Sequence, residues 1–120
     1  MEATLSISLR LYGAATTSSV NDRVNRVVNK TLSGITKAVV QDVSLTAAEA
    51  DHVVDFGEIT SATAIFIFAD YAVSAKWNAI VTAVSSGKIV VLADGSAITA
   101  LKLTNLDTTH ANVVNIVLVS

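Results

Sequence analysis

The sequence predicts an all-β fold, a single antiparallel sandwich or jelly roll of about eight strands, with residues 1–120 forming one domain. Three observations point there. Valine, isoleucine and threonine, the residues that fit a pleated surface, dominate the chain. Proline, which ladders tolerate badly, is absent from all 120 residues. Apolar segments of strand length alternate with short clusters of turn residues.

The elements follow in order. Thr4 to Leu11 alternates polar and apolar without error, placing Leu5, Ile7, Leu9 and Leu11 on one face of a half-buried strand. Gly13 and the cluster Thr16 to Ser19 end it. Val20 to Leu32 carries two signals. Val20, Val24, Val27, Val28 and Leu32 have helical spacing, with Ser19 and Asp22 near a start and Gly34 at an end. The valine, asparagine and threonine content is poor for a helix, and the segment is read as strand. Ser33-Gly34 turns into a strand over Ile35 to Leu45.

A short helical turn is expected near residues 46–52, with Thr46 as N-cap and Glu49 at the capping-box position. Extended structure resumes from Val53 to Ile59, interrupted at Gly57. Ala62 to Tyr71 and Lys76 to Val84 read as two strands, and Ser85-Ser86-Gly87 as a turn into Lys88 to Ala93. Asp94-Gly95 is the strongest hairpin signal, because type I′ turns require positive φ. Ile98 to Asn105, a polar loop and a final strand over Asn112 to Val119 complete the chain.

Several strands are apolar on both faces. Ile65, Phe66, Ile67 and Phe68 are consecutive, as are Ile89 to Leu92 and Ile116 to Val119. Period-2 geometry then makes both faces apolar, whereas a sandwich core covers one. Ile65, Phe66, Ile67, Phe68, Ile89, Val91, Ile116 and Leu118 are therefore the candidate interface residues, and the pattern leaves open which face is inward. Each large apolar side chain buried contributes about 1.5–3 kcal/mol. Half a dozen on an outer face offer a partner roughly 10 kcal/mol before the costs of association. Loops of the same chain are the alternative cover.

The totals agree. Hydrophobic residues make up 52% and charged residues 15%, with mean hydropathy +0.59, against about a quarter charged in ordinary domains. No apolar run approaches the roughly 20 residues of a membrane span. Glu2 and Arg10 do not fit a signal peptide. The surplus apolar surface is thus expected to meet protein, in a homo-oligomer or another assembly. A net charge of −2 with scattered basic residues argues against nucleic acid. With no cysteine there is neither a disulfide framework nor a thiolate metal site.

Chemistry is hard to find. His52 with Glu49, Asp51 and Asp55 is the one cluster of potential ligands, and it reads as a solvated acidic turn rather than a metal site. His110 lies in a polar loop. No nucleophile motif or phosphate loop is present, and no cofactor or catalysis is expected. Three aromatics remain for ligand contact, Tyr12, Tyr71 and Trp77, which keeps a carbohydrate-binding module as an alternative. Asn29-Lys30-Thr31 matches a glycosylation sequon by chance.

One further pattern runs through most of the chain. The acidic turn Thr46 to Ala50 leads to Val54-Asp55-Phe56-Gly57-Glu58-Ile59-Thr60 and then Ala64-Ile65-Phe66-Ile67-Phe68. Val91 to Gly95, Leu101 to Asp107, the closing valine-rich strand and the opening Leu5 to Leu9 strand follow the same scheme. This pattern resembles the small structural proteins of tailed-bacteriophage virions, the β-sandwich decoration or cement proteins above all. It departs from them at Ala69-Asp70-Tyr71, where Asn-Leu-Asp often stands in that family. The resemblance implies a structural role in a virion assembled in the host cytoplasm, with the major coat protein or other virion proteins as partners. A tail, neck or baseplate component is the neighbouring expectation.

Overall fold

A computed structural model describes residues 2–11, 24–32, 34–81, 85–93 and 95–120. The chain divides into two compact units, Met1–Ile35 and Thr36–Ser120.

In the first unit β1 (Ala3–Leu11) and β2 (Val24–Leu32) form an antiparallel ribbon, paired from Ala3↔Leu32 to Leu11↔Val24. The strand reading of the ambiguous second segment therefore holds over Val24–Leu32. Residues 20–23 lie outside the described residues.

The second unit is one curled antiparallel sheet of β3 (Ala38–Leu45), β4 (His52–Val53), β5 (Ala64–Trp77), β6 (Ser85–Leu92), β7 (Leu101–Asn105) and β8 (Asn112–Val119). The described residues form no helix, and so none long and apolar enough to cross a membrane. β5 organises the sheet. Along one edge it pairs with β6. Along the other, its first half pairs with β8 and its second half with β7. β3 flanks β8 and β4 flanks β7.

Between the halves, the register with β6 slips from Phe68↔Ile89 to Val73↔Gly87. Extra residues on one strand bend it and increase its twist. That bend lets β8 and β7 follow one another along the same edge.

Odd-numbered residues of β5 face inward on both sides of the bulge at Asp70-Tyr71. Ile65, Ile67, Val73 and Ala75 are buried with Val114, Ile116 and Leu118 of β8, Val90 and Leu92 of β6, and Leu101 and Leu103 of β7. The segment after β4 covers this face, contributing Val54, Phe56 and Ile59 to the core. It is tied to β3 where Gln41 Nε2 donates to the Asp55 carbonyl at 2.6 Å. Gly57 turns the segment at φ +61 and accepts its place from Asp55 Oδ1, which receives the Gly57 N–H at 2.9 Å. Ala62 and Ile98 add a two-way backbone bridge.

Four sequence expectations need correction. The helical turn at 46–52 is a non-helical turn. Thr46 and Glu49 do contact each other, but Ala48 and Asp51 adopt positive φ, which right-handed helix excludes. The two strands expected over 62–71 and 76–84 are represented by a single strand, Ala64–Trp77, ended by Asn78 at φ +55; the Asp70-Tyr71 signal marks a bulge, and residues 82–84 lie outside the described residues. Ser85-Ser86-Gly87 lies within β6. Asp94-Gly95 does not join a hairpin, because β6 and β7 pair with opposite edges of β5; Asp94 itself lies outside the described residues.

Candidate interaction surface

The cross-strand registers resolve which residues share a face. In the half of the sheet before the bend, Val39, Leu118, Ile65 and Leu92 form one inward row, and Gln41, Ile116, Ile67 and Val90 the next. Four of the candidate interface residues, Ile65, Ile67, Ile116 and Leu118, are therefore core residues, fully buried and unavailable to a partner. Alternation gives no means of telling an inward from an outward face when both are apolar.

The other candidates lie on the opposite face. Val40, Val117, Phe66 and Val91 align across β3, β8, β5 and β6. Phe68 and Ile89 begin the next row, which ends in a hydrogen bond from Asn115 Nδ2 to Asp42 Oδ1 at 2.9 Å. Phe66 is buried, whereas Phe68 is 40%, Val91 40%, Val40 67% and Ile89 68% exposed. This is a contiguous apolar face spanning four strands, rimmed by one polar pair. Scattered exposed apolar residues need no explanation, but an aligned set does.

Past the bend the same face becomes polar. Ser74 and Lys76 of β5 lie opposite Thr104 and Lys102 of β7. Lys76 Nζ donates to Asp51 Oδ1 at 2.9 Å. That hydrogen bond and the Lys76 charge, with Lys102 beyond it, hold the Asp51 carboxyl below its ordinary range.

A buried polar joint fixes the bend. Asn112 accepts the Tyr71 N–H on Oδ1 at 3.1 Å and donates from Nδ2 to the Tyr71 carbonyl at 2.8 Å. Asn105 donates from Nδ2 to the carbonyls of Thr46 and His110, while its Oδ1 receives the Asp107 N–H. No buried side-chain polar atom among the described residues lacks a partner. Sequence reasoning missed both asparagines; their signal was an amide at the end of an otherwise apolar strand.

The aromatic candidates divide. Tyr71 stacks on His110, ring centroids 4.7 Å apart and planes 6° from parallel, which occupies one of its faces. Trp77 is half-buried and packs against the core. Tyr12 lies outside the described residues. His52 is paired with Glu49, whose carboxyl is lowered first by the backbone N–H of Thr46. Among the described residues no group of acidic and histidine side chains is arranged to hold a metal ion.

Comparison of the chain with protein-family models, with curated proteins and with solved structures yields no match.

Proposed function

We propose that this protein is a virion structural protein, a capsid decoration or cement protein that seats its apolar sheet face on coat subunits. The observation that carries the reading is the exposed set Val40, Val91, Phe68 and Ile89, aligned across the outer face beside the half-buried Val117 and the buried Phe66. Apolar area of this kind is characteristic of surfaces that meet protein. The resemblance of the sequence to small tailed-phage proteins supplies the setting. The role is physical rather than catalytic. A modest contact repeated in many symmetry-related copies binds with high effective concentration. Homo-oligomerisation through the same face belongs to this reading, as does closure of the curled sheet into a sandwich or jelly roll. Nucleic acid and membrane are not partners in it.

The packing of Trp77 against the core favours a structural part over a carbohydrate-binding module, which needs a flat exposed aromatic. The deciding experiment is to purify particles on a density gradient from a lysate of the phage carrying the gene, and to count copies of this protein per particle by mass spectrometry. Hundreds of copies are expected for a decoration or cement protein. A handful would assign it instead to tail, neck or baseplate, and absence from particles would overturn the virion role.

A further inference from the structure

The polar half of the sheet holds a cavity of about 240 Å3, lined by Asp51, Lys76, Asn78, Ile80, Val81, Ala100, Leu101 and Lys102. Two features of its wall are unusual for a protein of net charge −2. Lys76 and Lys102 are directly opposed in the β5–β7 register. Side chains so placed have Cβ atoms only about 4.5–5.5 Å apart, and like charges there repel. Asp51 answers one of them, at 2.9 Å from Lys76 Nζ. The wall therefore carries a surplus of one positive charge, two ammonium groups less one carboxylate. The second feature is apolar: Ile80, Val81 and Ala100 border the same space, and Val81 is among the most exposed large apolar residues described.

From this charge complementarity we infer that the cavity is a binding site for a monocarboxylate with a short aliphatic body, as an acidic side chain or a peptide C-terminus provides. The carboxylate bonds to Lys102 and relieves its repulsion with Lys76, and the aliphatic body lies against Ile80 and Val81. Asn78 is not available to the ligand. Its Oδ1 accepts the Thr99 N–H at 2.8 Å, and its Nδ2 donates to the Ala97 carbonyl at 3.0 Å. Phosphate suits the site poorly, since one surplus charge leaves a dianion incompletely neutralised and no arginine fork lines the wall. The site lies past the bend from the apolar face and stands or falls independently of the virion role.

The test is a titration of 15N-labelled full-length protein with sodium butyrate, and in parallel with inorganic phosphate, at constant ionic strength. Saturable amide shifts confined to the cavity wall, Lys76, Ile80, Val81 and Lys102 foremost, are expected with butyrate. Lys102→Gln should weaken binding by about tenfold or more, while Lys88→Gln, a lysine on β6 outside the cavity, should leave it unchanged. Shifts that do not saturate, equal binding by Lys102→Gln, or tighter binding of phosphate would overturn the inference.

Discussion

Asn105 and Asn112 are bonded to each other inside the protein, Asn112 Nδ2 donating to Asn105 Oδ1 at 3.3 Å. Through them the bend of β5, the β7–β8 loop and the turn after β3 become one hydrogen-bonded unit. Asn112 serves both backbone polar groups of Tyr71. Backbone groups at a bulge lose their ladder partners, and burying them unpaired is costly.

Asn112→Ala orphans the Tyr71 N–H and C=O together. With each buried unsatisfied group costing about 1–3 kcal/mol, the variant should lose roughly 2–6 kcal/mol in urea unfolding. A loss under half a kcal/mol would show that water replaces the amide without cost.

The two apolar faces should respond differently to charge. Ile67→Asp buries a carboxylate in the core and should abolish folding, as judged by circular dichroism. Phe68→Asp and Ile89→Asp change exposed positions and should alter stability by about 1 kcal/mol or less. The same two changes together should abolish self-association or particle binding in sedimentation. Retained assembly in the double variant would remove the apolar face from the proposed function.

Asp107 is held at about 2, first by the Thr109 backbone N–H and then by the His110 N–H and both their side chains. Its unfolded value is near 3.9. A carboxyl lowered on folding stabilises the protein above its unfolded pKa, and that contribution disappears as pH falls through the folded value. Urea midpoints of the protein and of Asp107→Asn, compared between pH 5 and pH 2, should therefore converge toward the acid end. Parallel profiles would mean that the carboxylate charge plays no part in holding the loop.

Ala48 adopts φ +57 while its N–H donates to the Asp107 carbonyl at 2.9 Å. A Cβ in left-handed conformation costs about 1–2 kcal/mol, and glycine gives back part of that through a freer unfolded chain. Ala48→Gly should raise stability by about 0.5 kcal/mol in thermal denaturation. A decrease would place the strain elsewhere in the turn.

Legibility in the sequence followed locality. The final strand was readable to the residue, because Asn112 to Val119 is rich in valine and isoleucine and follows a polar loop. β5 was split in two because Asp70, which breaks an apolar run, reports a bulge as readily as a turn. The Thr46–Glu49 pair was readable as a contact but not as a turn type, since that contact tolerates either backbone path. Which of Ile67 and Phe68 faces inward was not readable, because it is decided by the segment Val54 to Ile59, which covers the Ile67 side of the sheet. The outer apolar face was thus visible as a surplus of apolar positions before its members were known.

The insertion of β8 between β3 and β5 has a consequence for how the chain matures on the ribosome. β3 and β5 both emerge well before Asn112–Val119, yet neither has its neighbour on that side until that segment has been synthesised. Pairings so distant in sequence form slowly, and unsatisfied strand edges are sticky in the interval. At about 5–20 residues per second, β5 waits seconds for its central companion. Closure of the six-stranded unit therefore awaits the synthesis of β8, and until then the apolar run Ile65 to Phe68 lacks its neighbour and is open to contact with other chains.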